Sequence, residues 1–174
     1  MYLQYSEADS VRRKATFMLK GDYYPELNAA GGGFTFLGET GLKKHIVGTK
    51  KDNNAAIMTL TSSAEHNALL RLADVYLIYA EAILGNKTTT SDADALLYFN
   101  KVRLRAGLPA VSSFGADEIL KERRLELAAE GQYWMDLVGL SYYNPQKAIG
   151  ILNGGERVPF KYEDGVATKG DPFG

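Results

Sequence analysis

The chain has no cysteine. Disulfides, thiolate metal sites and cysteine nucleophiles are therefore excluded. Histidine is nearly as scarce. His45 and His66 are the two present, neither has a ligand partner one helical turn away, and carboxylates would have to complete any zinc site. The composition calls for no metal and no cofactor. Long apolar runs are also missing. The best, residues 75–80, falls far short of the roughly 18 consecutive apolar residues of a membrane-spanning helix. No charge sign predominates, since the formal net charge is −1. A balance this even sets up no broad field to attract nucleic acid or an anionic lipid surface. The first residues carry no basic stretch followed by an apolar one, so no signal peptide is read there. What is present is a 174-residue chain, 45% hydrophobic, with the length and composition of a globular domain that buries a real core.

The texture changes along the chain. Residues 1–63 hold Gly31-Gly32-Gly33, Gly38, Gly41, Gly48 and Asn53-Asn54, with short apolar runs between them. Such breaker density predicts a loop-rich segment with short strands, packed on a helical part. Residues 64–150 keep apolar periodicity with few breakers, which predicts those helices. The first runs from about Ala64 to Leu84 and stops at Gly85-Asn86. The second is capped by Ser91 or Asp92 and ends before Gly107-Leu-Pro109. The third begins near Gly115-Ala-Asp117 and ends before Gly131, the fourth spans about Tyr133 to Ser141, and Pro145 starts a further turn toward Ile151. Short connections predict antiparallel helical hairpins of tetratricopeptide-like type. Residues 151–174 read as an irregular tail in which Arg157-Val-Pro-Phe-Lys-Tyr162 suits a short edge strand. The expected fold is mainly α, with irregular and short β segments at both ends.

Three segments carry a resemblance. They are Leu70-Arg-Leu-Ala-Asp-Val-Tyr-Leu-Ile-Tyr-Ala-Glu-Ala82, Phe99-Asn-Lys-Val-Arg-Leu-Arg-Ala-Gly-Leu108, and Ile119-Leu-Lys-Glu-Arg-Arg-Leu-Glu-Leu-Ala-Ala-Glu-Gly131 with Trp134-Met-Asp-Leu137 after it. In order and spacing they resemble the hallmark helices of the SusD/RagB family. Upstream, Asp9-Ser-Val-Arg-Arg-Lys-Ala-Thr-Phe17 and Lys43-Lys44 resemble the segment preceding the first of them. Tyr133 stands where the family usually has a basic residue, Gly139-Leu140 where it has an Arg-Trp pair, and its closing Leu-Pro-Ile-Pro-like segment is missing. The resemblance implies the C-terminal part of a longer surface lipoprotein of the outer membrane. Such a protein captures oligosaccharide or polysaccharide without chemistry and works with a TonB-dependent outer-membrane transporter. Its membrane attachment would be an N-terminal lipid outside this chain.

Arg71, Asp74 and Glu81 recur along one stripe of an otherwise apolar helix. Two carboxylates there invite a glycosidase reading, but such a pair must face across a cleft, roughly 5 to 9.5 Å apart, and nothing in the sequence supplies that. We read them as structural, paired with Arg103, Arg105, Arg123 or Arg124, because buried carboxylates need cations. The Glu122-Arg123-Arg124-x-Glu126 run reads as scaffold rather than phosphate site. No catalytic residue is assigned. Gly31-Gly32-Gly33 lacks the Lys-Ser/Thr ending of a phosphate loop. Tyr23 and Tyr24, with Pro25 next to them, are aromatics in breaker-rich sequence, the residue type that stacks on the apolar face of a sugar, and they are the candidate ligand contacts. Trp134, Tyr142 and Tyr143 keep helical spacing and are expected in the core or against a partner. A helical-repeat module that binds a protein instead of a glycan is the rival reading.

Overall fold

A computed structural model describes residues 4–46, 48, 68–155, 160–163 and 166–169. Two compact units divide between Ala129 and Glu130. The loop-rich segment belongs with the first helices because Tyr5, Arg12 and Lys44 all bond to groups within residues 122–128.

In the first unit, helix α1 (Ser10–Thr16) comes after a single turn at Glu7–Asp9. Breaker counting missed it, since it ends before the glycines begin. Two small antiparallel pairs come next: β1 (Phe17–Leu19) with β4 (Thr40–Leu42), and β2 (Tyr23–Tyr24) with β3 (Phe34–Thr35). Three helices complete the unit: α2 (Leu72–Leu84), α3 (Ala93–Arg105) and α4 (Ala116–Glu126).

Helix α2 begins at Leu72, not near Ala64. Residues 68–71 are irregular, and residues 64–67, with His66, lie outside the described residues. Arg71 is extended, at φ −131° and ψ 161°, because its side chain is drawn to α4. Helix α2 stops at Gly85, whose φ is +55°. Asp92 caps α3, accepting from the N–H groups of Asp94 and Ala95 at 3.0 and 3.1 Å. Glu118 accepts from the N–H of Gly115 at 2.9 Å and so holds the start of α4.

Helices α2 and α3, joined by residues 85–92, pack as a hairpin, and α4 packs on α2. Ala73, Leu77, Ala80 and Leu84 supply one apolar stripe, and Ala95, Phe99 and Val102 the other. Phe114 and Ile119 close this core, with Phe99 and Phe114 stacked at 4.4 Å between centroids. Burying each ring contributes about 1.5–3 kcal/mol. Between the hairpin turns, β5 (Thr89–Thr90) pairs with β6 (Phe114–Gly115). Gly115 is required there, since a Cβ would lie 2.6 Å from the Thr88 carbonyl.

In the second unit, α5 (Gln132–Tyr143) and α6 (Pro145–Asn153) pack on each other. Pro145 opens α6 and Asn144 caps it. Strands β7 (Phe160–Glu163) and β8 (Val166–Lys169) form an antiparallel pair, partly matching the predicted edge strand, whose first residues lie outside the described ones. Trp134, Tyr142 and Tyr143 are exposed rather than core, because Leu137 and Leu140 take the buried face of α5.

Candidate functional site

The polar side chains of the first unit gather into a buried network. Arg12 lays its fork on Asp9 (2.7 and 2.5 Å) and donates to Glu122 at 2.6 Å. Its charge is held more firmly than an ordinary arginine's: burial opposes it, but the hydrogen bond to Asp9 and the charge of Glu122 prevail. Arg103 binds the other oxygen of Glu122 at 3.1 Å. Arg71 binds Glu126 at 2.8 Å and that residue's carbonyl at 2.5 Å, and Arg105 also binds Glu126. Arg123 donates to Asp74 at 2.6 Å. Lys44 caps the end of α4 through the carbonyls of Glu126 and Ala128 at 3.2 and 2.9 Å.

Thus Asp74 is buried against one of the four arginines singled out, whereas Glu81, two turns further along α2, is exposed. Cover on α2 continues past Glu81, since Ala80 and Leu84 are buried, but it lies on the core face and not over Glu81. Arg71 precedes the helix instead of sharing its stripe. Arg124 lies half-buried beside Arg123. The network's centres are Glu122 and Glu126, with Asp9 and Arg12 reaching in from the loop-rich segment. Sequence reasoning had Glu122 and Glu126 only as scaffold and missed Asp9 and Arg12. The available signal was the i, i+3 spacing of Asp9 and Arg12, the second beside another arginine in an otherwise helical pattern. This constellation pairs every carboxylate with a cation and offers no acid–base couple.

A different arrangement surrounds the two tyrosines. A cleft of about 510 Å³ is lined by Arg13, Lys14, Tyr23, Tyr24, Glu26 and Lys43 among others. Tyr24 is its floor. Only 3% exposed, it packs with Met18, Leu27 and Phe36. Its hydroxyl lies 3.2 Å from the Lys14 carbonyl and 3.3 Å from Asp22, and burial together with the Asp22 charge pushes its pKa up to about 12. Tyr24 therefore presents little ring for stacking. Tyr23, its neighbour on the strand, lines the same cleft but is left exposed where Tyr24 is buried. It is 46% exposed, and its hydroxyl donates to the Gly32 carbonyl at 2.8 Å. Gly33, at φ +95°, sits so close to this ring that a Cβ would lie 2.6 Å from two ring carbons. The loop that is no phosphate cradle thus holds the ring's hydroxyl through Gly32 and packs against the ring at Gly33.

The floor is pinned by Asp22, which accepts from Arg13 and, at 2.8 Å, from the Leu19 N–H. Partial burial raises its pKa, but Arg13 and the backbone donor outweigh this, leaving it below the ordinary 3.8. A depressed folded pKa means stability that is complete above the ordinary carboxylate value and lost as pH falls through the folded one. Acid unfolding should therefore steepen below about pH 4, and Asp22→Asn should flatten that part of the curve, as read by circular dichroism against pH.

The SusD family's sequence profile matches residues 2–155. The chain belongs to the SusD family. A SusD-like protein of Bacteroides ovatus is 42% identical over 88% of this chain, which spans 28% of that protein. A crystal structure determined with xylogluco-oligosaccharide superposes with a TM-score of 0.84 at 37% identity, over 97% of this chain and 37% of the other. Surface glycan-binding protein A from Bacteroides uniformis superposes at 0.59 with 26% identity, over 82% of this chain and 29% of the other. This chain thus spans about a third of these SusD-like relatives. Its mainly helical fold is the family's, and the family match spans all three segments read as hallmarks, the third of which supplies the carboxylates at the centre of the buried network.

Proposed function

We propose that this chain is the C-terminal part of a SusD-like surface lipoprotein that captures glycans for a TonB-dependent outer-membrane transporter and performs no chemistry. The observation that carries the reading is the Tyr23 ring, half exposed beside a cleft and fixed at its edge by Gly33 and at its hydroxyl by Gly32. A pyranose face packs on such a ring with reduced ordering cost, because its hydroxyl is already hydrogen-bonded and Gly33 packs against it. Kinship with proteins named for glycan binding supports it, and so does a buried network in which every carboxylate faces a cation. Membrane attachment belongs to an N-terminal lipid in the remainder of the protein.

Leu72, Val75 and Tyr79 form an exposed apolar stripe on α2, and Leu97 and Leu104 are exposed on α3. Apolar side chains grouped this way mark a covered face. We assign the cover to the remainder of the same longer protein rather than to a separate protein ligand. The test is affinity electrophoresis of the intact protein through gels containing a panel of polysaccharides, with reducing-sugar release measured in parallel and a pull-down from outer-membrane extract. Retardation by a glycan without hydrolysis, together with recovery of a transporter, is expected. Release of sugar, or capture of a soluble partner with no glycan retarding the protein, would contradict it.

A further inference from the structure

The cleft beside Tyr23 carries a charge that stacking alone does not use. Lys14 and Lys43 place their ammonium groups 5.4 and 5.5 Å from the centroid of the same ring, Tyr24. The ring's negative face attracts each of them, and so gathers two like charges at the floor of one cleft. Among the described residues Lys14 has no carboxylate partner. Lys43, its side chain 16% exposed, has Glu26 at 3.4 Å, and the Glu26 side chain is 54% exposed, so the acid is the partner that can swing out to solvent and yield to another anion. Arg13, the third cation of the lining, is already committed to Asp22, which is not part of the lining. The cleft therefore holds two available cations against one weakly held acid, next to a fixed aromatic wall.

Resting on the reading of Tyr23 as a glycan contact, we infer that the cleft takes an acidic sugar residue, whose ring stacks on Tyr23 and whose anionic group lies between Lys14 and Lys43. The chemistry is that of an ammonium pair meeting a carboxylate or sulfate: charge-assisted hydrogen bonds that are strong against a partly desolvated anion, and relief of the repulsion between the two lysines. Neutral sugars gain only the stacking. Glu26 acts as an internal stand-in that leaves when the ligand's anion arrives.

The experiment is calorimetry of the intact protein with three oligosaccharides of matched length: an oligogalacturonide, a sulfated galactan oligomer and a neutral galactan oligomer. The expected result is a preference of about tenfold or more for an acidic oligomer over the neutral one, shrinking as salt is raised. The ratio should fall to near one in Lys14→Gln combined with Lys43→Gln, and should widen in Glu26→Gln. Comparison of the first two ligands tells whether the group recognised is a uronate or a sulfate ester. Equal affinity for neutral and acidic oligomers, with both lowered by Tyr23→Ala, would leave the glycan reading standing and overturn this inference. An acidic preference unmoved by the lysine substitutions would overturn it too. If Tyr23→Ala alters no glycan affinity at all, the contact reading fails and the inference falls with it.

Discussion

Arg12→Ala should destabilise the protein by about 3–5 kcal/mol, the cost of removing one partner from a buried ionic cluster. The magnitude comes from the groups left behind. Glu122 keeps Arg103, and Glu126 keeps Arg71 and Arg105. Asp9, only 1% exposed, loses the fork that binds both its oxygens. An ionised carboxylate cannot stay dry without a cation, so the turn before α1 must open or take up a proton. Because Arg12 also joins the loop-rich segment to α4, its loss should weaken the attachment of that segment. Arg12→Met combined with Asp9→Leu should cost clearly less than the sum of the single changes, since removing both charges abolishes the desolvation penalty. Urea denaturation of the four proteins gives the numbers. Lys20→Ala, removing an exposed pair with Glu39, should change stability by less than about 1 kcal/mol.

Asp74→Ala should likewise cost about 3–5 kcal/mol, while Glu81→Ala should stay within about 0.5 kcal/mol. In sequence the two carboxylates are equivalent: same helix, same stripe, same apolar surroundings. In the fold they are not, because Asp74 sits under cover against Arg123, whose side chain is 8% exposed, and Glu81 is exposed. Removing Asp74 takes from a buried guanidinium the carboxylate it meets at 2.6 Å. Equal losses from the two substitutions, measured by thermal unfolding, would show that the docking of α4 on α2 extends further than the structure has it.

The comparison of these two residues shows where the sequence is legible. Periodicity and caps identify α2, α3 and α4 closely, since Gly85, Asp92 and Gly107 act locally and their signals sit next to the elements they end. The start of α2 is different: Arg71 and the residues before it read as continuing helix, yet Arg71 is pulled out by Glu126, far along the chain. Helix α1 was missed for a different reason: its local signal, Asp9 and Arg12 three residues apart, was overridden by the glycine-rich sequence that follows. Tyr23 and Tyr24 look alike as neighbours, and only the pairing of β2 with β3 decides that one floors the cleft and the other stands in it. The role of the triple glycine is invisible until Gly33 is seen against the Tyr23 ring. Helix ends set by neighbouring residues were readable, whereas contacts between distant segments, and the local Asp9–Arg12 pair beside a glycine-rich stretch, were not.

The central claim is that Tyr23 is a preorganised glycan contact on a non-catalytic capture protein. Its most direct test is the dissociation constant of the intact protein for whichever oligosaccharide it retains, measured for the native sequence and for Tyr23→Ala, with unfolding curves recorded alongside. Loss of one stacked ring is expected to weaken binding by roughly 1–2 kcal/mol, about five- to thirtyfold, with the unfolding transition little changed because the ring is half exposed. Glycan affinity identical in the two proteins would contradict the account.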